Sequence, residues 1–188
     1  IAKENNVKVI LSKKKIIEYG DLKVSGYFDY NKPLKLFTAI NKPQKDWVMV
    51  LLHESSHMDQ WIEQCKIWRD ACNKTDYITL LEKWLQGKEV SDFKLNLIIK
   101  HNRNLELDCE RRAIKKALKY NIKINITEEI QKANSYIYFY TMLKDSRSWY
   151  TTAPYYVKEV WSQMPKTFDN DYSILSPKIK KLYTKHCL

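Results

Sequence analysis

Trp47-Val48-Met49-Val50-Leu51-Leu52-His53-Glu54-Ser55-Ser56-His57-Met58-Asp59-Gln60-Trp61-Ile62 is the stretch on which the reading of this chain turns. It contains no Gly or Pro, and its residues sort by helical phase. At 100° per residue, Val48, Leu51, Leu52, Ser55, Met58, Ile62 and Cys65 gather on one side. His53, His57, Gln60 and Gln64 gather on the other, with Glu54 and Trp61 at the flank. Two imidazoles four residues apart on a helix lie one turn apart on one face, where both reach a single metal ion; the carboxylate of Glu54 stands beside them as a base. Histidines used only for packing would lie within the apolar stripe, so this phase predicts a pair facing a cleft. Asn41-Lys42-Pro43 breaks the chain ahead of the stretch and Asp46 is placed to cap it, predicting a helix from Trp47 to Cys72.

On the N-terminal side the pattern changes to short runs rich in β-branched and aromatic residues, Val7 to Leu11, Leu22 to Tyr30 and Leu34 to Ile40. Gly20-Asp21 and Asn31-Lys32-Pro33 separate them, which predicts a small antiparallel sheet. On the C-terminal side the periodicity predicts helices near Tyr77 to Gln86, Asp92 to Lys119, Glu128 to Lys144 and Pro177 to Thr184, with Asn125 and Glu128 as a capping box. The class is α+β, strands first and helices after. With no repeat and no Gly/Ser/Pro-rich linker, residues 1–188 read as one domain.

A catalytic zinc site takes three protein ligands and leaves a position for water. His101 and His186, the remaining histidines, lack acidic or ligand-like flanks, whereas Leu105-Glu106-Leu107-Asp108-Cys109-Glu110-Arg111-Arg112-Ala113 holds three carboxylates within five residues. Leu95, Ile99, Cys109, Ala113 and Ala117 form the apolar stripe of that helix. Glu106 falls at the stripe's centre, Glu110 about 40° from it, and Asp108 on the opposite face among Arg111, Lys115 and Lys119. A carboxylate in a buried stripe costs several kcal/mol unless compensated. A metal ion would explain Glu106 and a contact to a ligating histidine would explain Glu110; a salt bridge to a buried Arg or Lys is the plainer alternative.

These motifs resemble the gluzincin branch of zinc metallopeptidases, especially its small single-domain, minigluzincin-like members and phage or bacterial relatives: a His-Glu-x-x-His helix, then Glu-x-x-x-Asp/Glu on a second helix some fifty residues on. Val50 suits the extended motif, whereas Asp59 stands where the family has a hydrophobic residue. The resemblance implies a zincin-like fold in which His53, His57 and Glu106 hold Zn²⁺ and Glu110 orients a histidine. It also implies that Glu54 activates water and hands the proton to the leaving amine. A strand beside the helix would hold an extended substrate, for which Leu34 to Ile40 is the expected edge. A neutral donor beyond the third ligand would stabilise the oxyanion; Tyr155 is the first candidate, with Tyr150 and Arg147 behind it.

Composition bounds the role. No apolar run approaches the ~18 residues of a membrane span. The four cysteines form no Cys-x-x-Cys pair and suit a reducing, cytoplasmic setting. The formal charge of +11 permits a polyanionic partner, although most of it is dispersed lysine. Three readings follow: a zinc metallopeptidase acting on a protein or peptide, a metallopeptidase-like regulator of the ImmA/IrrE type, and a nucleic-acid-associated protease of the SprT type.

Overall fold

The computed structural model describes residues 2–20, 22–73 and 75–188, with every side chain of these except Leu22; Asp21 of the expected Gly20-Asp21 turn lies outside them. The class is α+β, with a small N-terminal sheet followed by helices. The strands are β1 (Lys8–Ser12), β2 (Ile17–Tyr19), β3 (Leu22–Val24), β4 (Gly26–Asp29) and β5 (Lys35–Ala39). The helices are α1 (Gln44–Ile62), α2 (Lys66–Trp68), α3 (Tyr77–Leu85), α4 (Asp92–Lys119), α5 (Ile126–Ser146), α6 (Lys158–Trp161) and α7 (Pro177–His186). Arg69–Asn73 forms a π-helical turn and Pro154–Tyr156 a 3₁₀ turn.

Contacts divide the chain into two compact units, each assembled from two stretches: Ile1–Cys65 with Cys109–Ile124, and Lys66–Asp108 with Asn125–Leu188. The second division falls inside α4, between Asp108 and Cys109, where no linker composition marks it.

In the first unit β1, β5 and β4 form one sheet in that order, and β2 pairs with β3 in a separate hairpin. The expected antiparallel sheet is corrected on one side. β4 and β5 are antiparallel, but β1 runs parallel to β5, with Val9 opposite Leu36 and Leu11 opposite Thr38. Parallel pairing needs a crossover, here the β2–β3 hairpin and β4, and such a long-range pairing leaves no local trace. Strand β5 is therefore central, not the free edge expected of Leu34 to Ile40; the edges are β1 and β4.

Helix α1 buries two sides rather than the single stripe read from phase. Met58, Leu51, Trp61 and Ile62 pack with Leu34, Leu36, Phe28 and Val7 of the sheet region. Val48, Met49 and Leu52 pack with Ala113, Ala117, Ile122 and Ile124 at the end of α4. The helix also begins earlier and ends sooner than predicted. Pro43 is the N-cap residue and Asp46 sits in the first turn without capping by its side chain. At the other end Gln64 adopts φ +46°, the left-handed region, which ends the helix without a glycine and starts α2 afresh.

The second unit is built on one larger apolar cluster, in which Phe139, Leu143, Ile98, Val160 and Tyr183 are almost wholly buried. Asn125 caps α5 through the Glu128 amide, as the capping box predicts, and Ser176 caps α7 through Ile179. No helix is long and apolar enough to cross a membrane among the described residues.

Candidate metal centre

His53 and His57 stand one turn apart on α1, their ring centroids 4.9 Å apart and the ring planes at 82°. They are not on an open, solvated face: His53 retains 19% of its side-chain exposure, and Gln60, on the same side, is wholly buried. Each imidazole is held at one nitrogen. His53 Nδ1 lies 3.0 Å from Glu110 Oε1, and His57 Nδ1 lies 2.9 Å from Gln60 Oε1. A carboxylate or carboxamide oxygen can only accept, so the neutral imidazoles carry their proton on Nδ1 and the lone pair on Nε2. That is the tautomer a metal-ligating histidine needs, with the other nitrogen tied to an oxygen that orients the ring.

Glu110 reaches His53 because α4 returns beside α1 in the first unit, with small residues at the approach. Ala113 and Ala117 are fully buried against Leu52, and Cys109, equally buried, points its sulfur at the His53 carbonyl, 3.1 Å away. The sulfur of Cys109 and a nitrogen of each histidine all lie within 4.8 Å of one another. A tetrahedral zinc with bonds of about 2.0–2.3 Å holds its donors roughly 3.5 Å apart, so small side-chain rotations suffice to close this group on an ion. The donors fit a divalent metal, and nothing in their chemistry selects zinc alone.

Asp59, which departs from the family pattern, is explained locally. Its carboxylate pairs with Lys116 Nζ at 2.8 Å, and the same ammonium donates to Ser55 Oγ at 2.8 Å. Burial pushes Lys116 below its ordinary value, against the pull of Asp59. This cluster links α1 to α4 beside the histidines.

Glu54 lies with the histidines in the first unit, and the second unit holds Glu106, Tyr150, Tyr155 and Arg147. Glu106 lies there, one turn before Glu110 on the same helix, with its Oε2 buried. Its carboxylate acts on a tyrosine: burial first, and the Glu106 carboxylate second, hold the Tyr136 hydroxyl well above the usual tyrosine value. Tyr136 shares a hydroxyl contact of 3.1 Å with Tyr140, and its ring lies 5.9 Å from that of Tyr155, which in turn lies 6.3 Å from Tyr150. Tyr155 and Tyr150 thus join a tyrosine group that includes Tyr136, on whose hydroxyl the Glu106 carboxylate acts. Arg147, the third oxyanion candidate, has local partners. It closes α5 in a left-handed conformation, and its guanidinium is occupied by the Trp84 and Lys88 carbonyls and the Glu89 carboxylate.

No family model, curated protein or solved structure matches this chain. Its chemistry is therefore argued from its own residues. Gln60 and Cys109 are the two that phase alone passed over. Gln60 was grouped with the histidines but not paired with one, although His57 and Gln60 stand at i and i+3, the spacing that makes helical side chains meet.

Proposed function

We propose that this chain is a metal-dependent peptidase of the zincin-like kind, with His53 and His57 as the protein's anchor for a divalent metal, zinc by preference. The observation that carries this reading is the pair of Nδ1 contacts, His53 to Glu110 and His57 to Gln60, which present both Nε2 lone pairs from adjacent turns of one helix. Zinc bound there would supply a Lewis acid that lowers the pKa of water to about 7. Glu54, between the histidines, takes a proton from the attacking water and returns it to the leaving amine. Glu110 holds the His53 ring and keeps its tautomer. With β5 interior, the edge for an extended peptide passes to β4, whose Gly26 lies against Glu54. The four cysteines, none disulfide-bonded, suit a reducing compartment such as the cytoplasm.

Two residues of α4 compete for the third ligand. Glu106 is the one implied by the family resemblance and by its buried carboxylate. Cys109 is the one grouped with the histidines by distance, but its sulfur faces a backbone carbonyl of α1 in the manner of a packed thiol. We assign Glu106. Tyr155, Tyr150 and Tyr136 are the neutral donors available on the same unit as Glu106.

Metal analysis of purified protein tests the reading. The wild type should hold about one zinc per chain, lost in His53→Ala, His57→Ala and Glu106→Ala and kept in Cys109→Ala and Glu54→Gln. Cleavage of an unfolded protein by the wild type should vanish in Glu54→Gln. Metal retained by both histidine variants overturns the site. Zinc lost in Cys109→Ala but kept in Glu106→Ala transfers the third position to the thiol. Zinc bound with no cleavage of any peptide in a broad library replaces the peptidase by a regulator.

A further inference from the structure

Glycine in a strand interior weakens the strand, and in β4 it sits at the strand's first residue, directly against α1. The φ of Gly26 is not in the left-handed region, so backbone freedom does not require glycine there. Space does. A Cβ on Gly26 would stand 2.7 Å from Val50 Cγ1, 2.8 Å from the Phe37 carbonyl oxygen and 3.0 Å from Glu54 Cγ. Even the smallest side chain would push against the stem of Glu54.

A second concession to stability lies at the same place. Thr38 is the cross-strand partner of Gly26 on β5, so the two share one face of the sheet. Thr38 is wholly buried, and its hydroxyl has no hydrogen-bond partner among the described residues. Such a hydroxyl costs about 1–3 kcal/mol, and valine would fill the same shape without it. Neighbouring positions where a sequence breaks the rules of packing mark functional sites more often than chance packing does.

We infer that Gly26 is a positioning residue for Glu54: the bare backbone of β4 is the seat against which the Glu54 side chain rests, and it sets where the carboxylate stands relative to His53 and His57. This rests on the peptidase reading for its kinetic consequence. The contact itself does not.

Gly26→Ala tests it in the full-length, zinc-loaded protein. The expected result is a loss of about 100-fold in kcat, the effect of roughly ångström-scale misplacement, with KM within about twofold of wild type and zinc content unchanged. Because alanine also meets Val50 Cγ1, Gly26→Ala/Val50→Ala is the second variant. It removes the tightest side-chain contact to aid folding and leaves the contact with Glu54, so it should remain slow. A folded, zinc-replete double variant with wild-type kcat overturns the inference, as does a rise in KM with kcat preserved. If the wild type cleaves nothing, the peptidase reading fails separately, and the seat is read from NMR of ¹³C-labelled glutamate, the Glu54 signal being assigned by its loss in Glu54→Gln. That signal should shift in Gly26→Ala; an unmoved signal removes the seat.

Discussion

The two units of this chain use buried positions differently. In the second unit thirteen buried apolar residues form one cluster, with Phe139 at its centre among Trp149, Tyr150 and Tyr183. In the first, two smaller clusters hold four and three buried apolar residues, and Thr38, Ser56 and Gln60 are also buried. Even the polar interior of the second unit is structural. Asn134 donates to the carbonyls of Pro165 and Thr167 and accepts from Tyr172, fastening a loop to α5. In the first, Gln60 instead orients a histidine. One unit concentrates packing energy, and the other gives part of it up for directed polar groups. Stability and chemistry should therefore respond to different substitutions.

The largest effect that can break this comparison is in the aromatic cluster. Phe139→Ala removes a fully buried ring and should destabilise the protein by about 3–5 kcal/mol in urea unfolding. His57→Ala, at a partly exposed position where Nδ1 meets Gln60, should cost about 1 kcal/mol in metal-free protein. Equal losses would show that the histidine region is as much a structural core as the aromatic one.

Next comes the Lys116–Asp59 pair, where the first unit spends buried volume on charge. Lys116→Met leaves the Asp59 carboxylate, 14% exposed, without its ammonium and should cost about 1–3 kcal/mol. The double variant Lys116→Met/Asp59→Leu, which places a hydrophobic residue where the gluzincin pattern has one, should recover most of that loss. A double variant as unstable as the single one would mean that Lys116 acts through Ser55 or through its stem rather than through the ion pair.

How much of this was legible from sequence depended on whether the deciding contact was local. The bounds of α4, Asp92–Lys119, and the Asn125 cap follow from periodicity and one side-chain hydrogen bond, both contained in a few residues. The phase of α4 also puts Glu110 near the apolar stripe, on the side that meets His53. The parallel β1–β5 pairing was not legible, since it joins residues 27 apart through an intervening hairpin. Nor was the end of α1, because Gln64 takes a left-handed conformation that sequence reserves for Gly or Asn. Gln60 misled for a third reason. Phase places the glutamine on the histidine face without giving it a partner, and only the fold shows it buried with its oxygen on His57. For Glu106 the sequence offers a ligand, and the structure adds Tyr136, a tyrosine from a different helix that no local spacing connects to it.

The smallest predicted effect sharpens the comparison from the side of the second unit, where the Cys187 thiol is buried by packing. Cys187 is fully buried in the apolar cluster, and burial pushes its thiol up to about 11. In the unfolded chain a thiol ionises near 8.5. Between those values the unfolded state has lost the proton and the native state keeps it, so the native state binds more protons and stability falls as pH rises. The contribution is fully present below about pH 8.5 and disappears as pH passes 11. Tyr183, whose hydroxyl is also raised by burial, adds a fall of the same sign at higher pH. Urea midpoints measured from pH 8 to 10 should therefore decline, and Cys187→Ala should flatten the decline while lowering stability at pH 7 through the lost sulfur contacts. Cys65, only partly buried in the first unit, offers the control: Cys65→Ala should leave the alkaline slope as it was. An alkaline slope equally reduced by both substitutions would place the titrating thiol outside the packed cluster and erase the distinction between the two interiors.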